Sequence, residues 1–255
     1  MIQIDNLRKS FNGAEVLRGV NIDIRDGETI VIIGRSGGGK SVLLKHLCGL
    51  LKPDDGRVTV DGTDIVPLTE SALTPIRKRF GVLFQGAALF DSMTVFDNVA
   101  FPLREERRLD ERSIEGRVME ALEIVGLDVA RNKKPSELSG GMKKRAGLAR
   151  ACVMLPKYML YDEPTTGLDP VLADNINELI LRMRDHFKVT GVAVTHDMAS
   201  AYKIGDRIAM LHEGRIHTVG APRDIQTSND PIVQQFIRGI GSNHKEHPHD
   251  IQQVR

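Results

Sequence analysis

Eight consecutive residues, Gly34-Arg35-Ser36-Gly37-Gly38-Gly39-Lys40-Ser41, carry the glycines, lysine and hydroxyl of a phosphate-binding loop at its usual spacing. Glycines let the backbone turn sharply, so that several N–H groups converge on one anion without Cβ clashes. Lys40 can reach the β- and γ-phosphates of a nucleotide, and the Ser41 hydroxyl can ligate Mg²⁺. A flexible Gly/Ser turn is the plainer alternative; the full spacing and the flanking pattern favour nucleotide binding. A second group is Asp162-Glu163, which ends the apolar run Tyr158-Met159-Leu160-Tyr161. Such a run has no packing reason to finish in adjacent carboxylates. Asp162 suits Mg²⁺, directly or through water, and Glu163 suits polarising a water. Gln85 and His196 also stand at the ends of buried runs, where the polar residues of α/β sheets face ligand. A lone histidine is usually structural, and a third polar residue at a third strand end strengthens the ligand reading. Phe11 is either an ordinary core aromatic or a ring stacked on adenine.

The elements that must position these groups are legible on either side of them. Thr29-Ile30-Val31-Ile32-Ile33 reads as a buried strand entering the loop, and Val42 to Leu47 as a helix leaving it. The helix N-terminus adds the positive end of its dipole to the anion site, and Pro53 follows its end. Ahead of that strand, Ile2-Gln3-Ile4 and Leu17 to Ile24 read as short strands, with tight turns at Asn12-Gly13 and Asp26-Gly27. Gly56 to Gly62 reads as a hairpin strand. Arg77-Lys78-Arg79 leads into the strand before Gln85, and the triplet is expected to be a solvated face. Beyond Gly86 the pattern turns helical, with Asn98 to Arg108 and Ile114 to Val125 at helical spacing. Leu138-Ser139-Gly140-Gly141-Met142 opens a further helix with Ser139 placed as N-cap. Lys143, Lys144 and Arg145 crowd its first turns, where each cation opposes the dipole by ~0.3–1 kcal/mol. An anion docking there would explain them; solvated lysines on a Gly-Gly loop are the alternative. Asn175 to His186 reads as amphipathic helix and Gly191 to Thr195 as buried strand. Ile208–Leu211 and Arg215–Val219 read as a hairpin, and Pro231 to Ile240 as a last helix.

Length and composition bound the rest. A chain of 255 residues can bury a substantial core. Its net charge of +1 and its 4% aromatics with no Trp give no footprint for nucleic acid or for single-strand stacking. Cys48 and Cys152 sit in apolar helical contexts, as buried free thiols would, with no metal spacing. The start of the chain lacks a signal-peptide pattern, and no run approaches the ~20 apolar residues of a membrane span. A soluble chain is expected, with any membrane association through a partner.

Taken together, these positions resemble the ATPase subunit of an ABC transporter, from about residue 2 to 240. The resemblance rests on Phe11, the loop 34–41, Gln85, the signature Leu138 to Met142, Asp162-Glu163, Gly167-Leu168-Asp169 and His196, in the family's order. It implies an α/β P-loop NTPase fold with a RecA-like core, an N-terminal antiparallel β subdomain and an α-helical subdomain inserted at about 86–155. ATP and Mg²⁺ are the implied ligands. Phe11 would stack on adenine, Gly34 to Ser41 would hold the phosphates, and Ser41, Gln85 and Asp162 would serve the metal. Glu163, His196, Lys40 and Gln85 are the implied catalytic residues. Ser139, Gly140 and Gly141 would meet the γ-phosphate of a second copy, in a homodimer closed around two nucleotides. One departure is Met142, which stands where the signature usually has Gln and cannot make that amide's hydrogen bonds.

The LSGGM ending and residues 85–95 resemble, more narrowly, the ATPases of MCE-protein lipid transporters, nearest the Mla-type phospholipid system of Gram-negative bacteria. This implies integral permease subunits as partners, MCE-domain and small accessory subunits beyond them, no nucleic acid, and a place on the cytoplasmic face of the inner membrane. An amino-acid or ion importer is the alternative within transporters. A non-transport ABC ATPase is the alternative outside them, and a nucleotide kinase would not need Leu138 to Gly141. Residues 241–255 form a polar tail with His244, His247 and His249, read as solvated in preference to metal-binding. Its Ile251 and Val254 are expected to dock on the other protomer or on an accessory subunit.

Overall fold

A computed structural model describes residues 1–239, so the expectations for the tail lie outside the described residues. In chain order, β1 (Ile2–Phe11) and β2 (Ala14–Ile24) form a hairpin, and β3 (Thr29–Ile33) runs into the phosphate loop and α1 (Lys40–Leu47). Then come β4 (Asp55–Val60), β5 (Thr63–Asp64), α2 (Glu70–Arg77) and β6 (Phe80–Leu83). A helical stretch follows: α3 (Val95–Glu106), α4 (Glu111–Ile124), two 3₁₀ turns and α5 (Gly140–Cys152). The chain continues through β7 (Tyr158–Asp162), α6 (Pro170–Phe187), β8 (Thr190–Thr195) and α7 (Met198–Ile204). It ends with β9 (Arg207–His212), β10 (Arg215–Gly220), α8 (Pro222–Gln226) and α9 (Pro231–Ile237).

Two sheets result. The smaller is antiparallel, in the order β2-β1-β4-β5, and the larger runs β10-β9-β3-β8-β7-β6. In the larger sheet β6, β7, β8, β3 and β9 are mutually parallel, and β10 is antiparallel at the edge. Every residue of β3, β7 and β8 is buried. Strands covered on both faces read as unbroken apolar runs, and each large side chain so buried contributes about 1.5–3 kcal/mol. The parallel pairing brings the carboxyl ends of β6, β7, β8 and β3 to one edge in adjacent order, with Ile33 opposite Thr195, Asp162 opposite Val194 and Leu83 opposite Tyr161. The crevice outside those ends is where open α/β sheets bind ligands.

Several boundaries differ from expectation for local reasons. β1 extends through Phe11, because bulges between Ile4 and Leu7, with Asn6 at φ 48°, break the in/out alternation that marks a strand. α3 starts at Val95, capped by the Thr94 hydroxyl, which accepts from the Asp97 N–H. The amphipathic helix begins at Pro170, where the Asp169 carboxylate caps two N–H groups. α2, α7 and α8 carry no expectation from the sequence; α2 contains Pro75. The basic triplet is engaged in ion pairs: Arg77 with Glu70, Lys78 with Glu106 and Arg79 with Asp61.

Candidate functional site: a phosphate loop facing two acids and a histidine

The phosphate loop leaves β3 at Gly34, where an added Cβ would stand 2.4 Å from the Leu211 carbonyl oxygen, so no other residue fits against β9. It enters α1 through Gly39, whose φ of 96° is costly for any side chain. Gly39 offers no side-chain cap and the first turn of α1 has no acid, so its N–H groups and dipole point at the loop without a competing anion from that turn. Lys40 is buried at 5% exposure. Its ammonium donates to the carbonyls of Gly34 at 2.9 Å and Arg35 at 3.2 Å, inside the curl of the loop.

Across from it lie the two acids that end β7. The Ser41 hydroxyl donates to Asp162 Oδ1 at 2.7 Å, which joins two of the three residues expected to serve a metal. Glu163 Oε1 lies 3.5 Å from Lys40 Nζ. Glu163 Oε2 accepts from Thr166 Oγ1 at 2.9 Å and Thr195 Oγ1 at 3.3 Å, and the ring of His196 at the end of β8 donates to it from Nδ1 at 2.9 Å. Burial pushes the Glu163 carboxyl up, but hydrogen bonds from His196 and Thr166 and the charge of Lys40 outweigh it and hold the group below the ordinary 4.5 of a glutamate. It is therefore a carboxylate at neutral pH. Its backbone φ of 49° is left-handed, a conformation that costs a non-glycine residue about 1–2 kcal/mol. Such outliers gather at sites where geometry matters more than ease of folding.

Not every expected residue joins this cluster. Phe11 is 42% exposed at the tip of the β1–β2 hairpin, with Lys9 Nζ over one face 5.5 Å from the ring centroid, so it is not a core aromatic. Gln85 is exposed just past β6, and among the described residues only its carbonyl is engaged, by Lys144. Ser139 caps α5, its Oγ accepting from the Met142 N–H at 3.3 Å. Ser139 and Gly140 are exposed, and among the described residues no hydrogen bond joins Ser139, Gly140 or Gly141 to the phosphate loop. The expectation that the cations after Met142 attend an anion is corrected for two of them. Arg145 donates to the carbonyls of Val125 and Gly126, and Lys144 is buried, donating to those of Gln85 and Glu163. Both side chains serve backbone that packs beside the helix, because their positions on α5 face inward. Sequence reading also passed over Thr166 and Thr195, small hydroxyls that look like ordinary turn and strand residues.

Chemically, the cluster offers a cation and a helix N-terminus for phosphate, and a hydroxyl and a carboxylate for a hard cation. It also offers a second, ionised carboxylate held by three donors. That donor set of hard oxygens fits Mg²⁺ shared with substrate phosphates. Among the described residues no cluster of three or more His, Cys, Asp or Glu could hold a metal without such help.

The family described as "ABC transporter" matches residues 17–166. A relative from Mycobacterium leprae (strain TN), a probable ribonucleotide transport ATP-binding protein, is 44% identical over 93% of this chain, which spans 69% of that relative. The intermembrane phospholipid transport system ATP-binding protein MlaF of Haemophilus influenzae is 38% identical over 94% of this chain and 90% of its own length. A methionine import ATP-binding protein of Carboxydothermus hydrogenoformans is 40% identical over 98% of this chain and 75% of its own. Among solved structures, the dimeric post-hydrolysis state of the ATP-binding cassette MJ0796, bound to ADP and Pi, superposes with a TM-score of 0.81. It is 32% identical, over 88% of this chain and 99% of that one. A likeness that runs well past the phosphate loop, through strands, helices and acids alike, places this chain in the ABC transporter family, as an ATP-binding subunit that hydrolyses ATP.

Proposed function

We propose that this subunit powers phospholipid movement between the membranes of a Gram-negative envelope, as part of an MCE/Mla-type complex. The observation that carries this is the likeness to MlaF, which extends over nine-tenths of both proteins. Loss of the protein should then raise phospholipid on the cell surface and leave amino-acid uptake unchanged. The reverse outcome, uptake lost and surface lipid unchanged, favours a solute importer, the reading supported by the methionine-import relative.

The proposed chemistry follows from the cluster. Lys40 and the N–H groups of the loop and α1 bind and orient the β- and γ-phosphates, and Phe11 stacks on the base. Ser41 and Asp162 would hold Mg²⁺, and Gln85, on the loop after β6, would serve the same ion. When bound, the ion supplies charge stabilisation at the transferring phosphoryl group. Glu163 orients the attacking water and takes its proton at the carboxylate. His196 fixes that carboxylate and contacts the γ-phosphate. Ser139, Gly140 and Gly141 complete the site of a second copy; the exposure of Ser139 and Gly140 at a helix N-terminus, with no hydrogen bond to this chain's own loop among the described residues, supports a homodimer with sites shared between protomers.

Membrane attachment is proposed to come through a permease, since no described helix is long and apolar enough to cross a bilayer. A cleft of about 820 Å³ lies between the end of α2, β6 and α3, lined by Phe84, Phe90, Phe101 and Met154. Phe84 and Phe90 are exposed there, and Phe90 packs on Phe101 with ring centroids 4.8 Å apart. An apolar cleft of this kind, next to Gln85, suits a short cytoplasmic helix of the permease.

A further inference from the structure

Among the described residues, Lys144 is a buried lysine that the chemistry above does not use. It lies in the second turn of α5, 5% exposed. Burial pushes its pKa down, and the charges of Asp162 and Glu163 push back. Taking an ammonium out of water costs several kcal/mol unless hydrogen bonds compensate. An apolar side chain of similar length would fill this volume without that penalty. What Lys144 receives instead is two carbonyl oxygens from two different loops, those of Gln85 and Glu163, the latter at 3.1 Å.

Both carbonyls are informative. The peptide after Glu163 leads to Pro164, which has no N–H, so that peptide can be held only by its oxygen. Glu163 is also left-handed, and its own N–H is fixed by the Val194 carbonyl at 2.9 Å. Two donors therefore tie the far side of this strained residue, the Thr166 N–H at 3.3 Å and the shorter, charged bond from Lys144, and of the two only Lys144 also reaches the loop that carries Gln85. On the Gln85 side α5 grips the same loop a second time. Arg150 donates to the carbonyls of Ala87 and Ala88, each at 2.8 Å, and both alanines are left-handed. Ala88 and Arg150 line the cleft described above. A displacement of that loop has a short route to Glu163, through one ammonium.

We infer that Lys144 is a positioning residue that locks the backbone of Glu163 to the loop carrying Gln85, and so sets turnover without binding nucleotide itself. The inference rests on the reading of Glu163 as the group that activates water. The test uses the full chain with Mg-ATP, measuring kcat and KM by phosphate release and affinity with a fluorescent ATP analogue. Lys144→Met should lower kcat tenfold or more while affinity stays within twofold, and Lys144→Arg, which keeps donors for both carbonyls, should recover at least a third of it. In a Glu163→Gln background Lys144→Met should cost less than a further twofold, because the two residues act as one unit. A kcat for Lys144→Met within twofold of wild type overturns the inference. So does a joint fall in affinity, melting temperature and kcat that Lys144→Arg does not rescue, since that marks a residue of the core alone. If the methionine variant does not fold, Lys144→Leu, which likewise has no donor, takes its place, and wild-type turnover there overturns the inference equally. Glu163→Gln separates the two readings. If it turns over like wild type, the role of Glu163 falls and this assignment with it; if it is inactive beside a fully active Lys144→Met, only the positioning role falls.

Discussion

Replacing Glu163 by glutamine removes one charge and leaves the shape, and three separate consequences can be worked from the site. The first is chemical. An amide cannot take the water's proton, and loss of a positioned general base costs about 10²–10⁴ in rate, or roughly 3–5 kcal/mol of barrier. The second concerns stability. Oε2 accepts from His196, Thr166 and Thr195, and bonds to an ionised acceptor are worth about twice those to a neutral one. At 3.5 Å, the attraction between Oε1 and Lys40 is roughly 5 kcal/mol before desolvation is subtracted, at an effective dielectric of about 20. Most of that is cancelled by desolvation, so the nucleotide-free variant should lose about 1–2 kcal/mol, a drop of roughly 2–8 °C in Tm. The third concerns binding. With no carboxylate beside it, Lys40 is left for phosphate, and a triphosphate no longer meets that negative charge. ATP should bind at least as tightly as to wild type and restore more stability than it does there. The pH dependence has a definite sign. The folded pKa of Glu163 lies below 4.5, so its contribution to stability is complete above that value and is lost as pH falls through the folded pKa. The Tm gap between wild type and Glu163→Gln should therefore narrow below pH 4.5 and stay constant from pH 6 to 8. Phosphate release and thermal melting with and without Mg-ATP read all three. Turnover within threefold of wild type, or a loss of rate matched by a loss of affinity, would refute the reasoning.

Lys40→Ala removes the cation from the curl of the loop; turnover should fall at least a hundredfold and ATP affinity with it, as titration of a fluorescent analogue would read. Asp162→Asn keeps an acceptor for the Ser41 hydroxyl, so the fold should survive while the Mg²⁺ concentration needed for half-maximal binding rises tenfold or more; an unchanged metal titration argues against Asp162 as a ligand. Ser139→Arg and Lys40→Ala subunits are each expected to be inactive alone. Mixed, they place both defects in one composite site, and recovery of measurable turnover would show sites shared between protomers, whereas an inactive mixture at all ratios counts against it. Phe90→Glu puts a charge into the apolar cleft and should release the protein from membranes carrying its permease with nucleotide affinity unchanged; retention on those membranes would place the docking surface elsewhere.

The large sheet and the phosphate site were legible because their causes are local. An unbroken apolar run such as 29–33 can hardly be anything but a strand covered on both faces, and acids ending the run at 158–161 have no packing explanation. The spacing of the glycines ahead of Lys40 reflects contacts such as the 2.4 Å approach of Leu211 to a Cβ at Gly34, which leave a mark in residue type. β1 was read at less than half its length because bulges scramble the period on which strand reading depends. The shell around Glu163 was legible only in part: His196 and Lys40 stood out at a strand end and in the phosphate loop, and its other members did not. Thr166, Thr195 and Lys144 are brought to it from a turn, the end of β8 and the second turn of α5, and nothing in a threonine or a lysine announces which carbonyl or carboxylate will lie beside it.

Met142 shows how the same segment can mislead in one place and inform in another. A methionine where the family's signature carries an amide looks like a loss of hydrogen bonding. In the folded chain, however, the bond that matters locally is made by its backbone, whose N–H donates to Ser139 Oγ and so caps the helix whatever the side chain is. The side chain itself is half-buried and packs against the apolar core, a use to which a flexible thioether is well suited. The change therefore carries no penalty within this chain. Any effect it has must fall on groups that approach α5 from outside, beside the exposed Ser139 and Gly140, where the second protomer is proposed to bring its nucleotide. Lys144 has the opposite character, ordinary as a surface lysine in the sequence and committed in the fold to two backbone oxygens. Two residues apart on one helix, one side chain belongs to the apolar packing and the other to the geometry of Glu163.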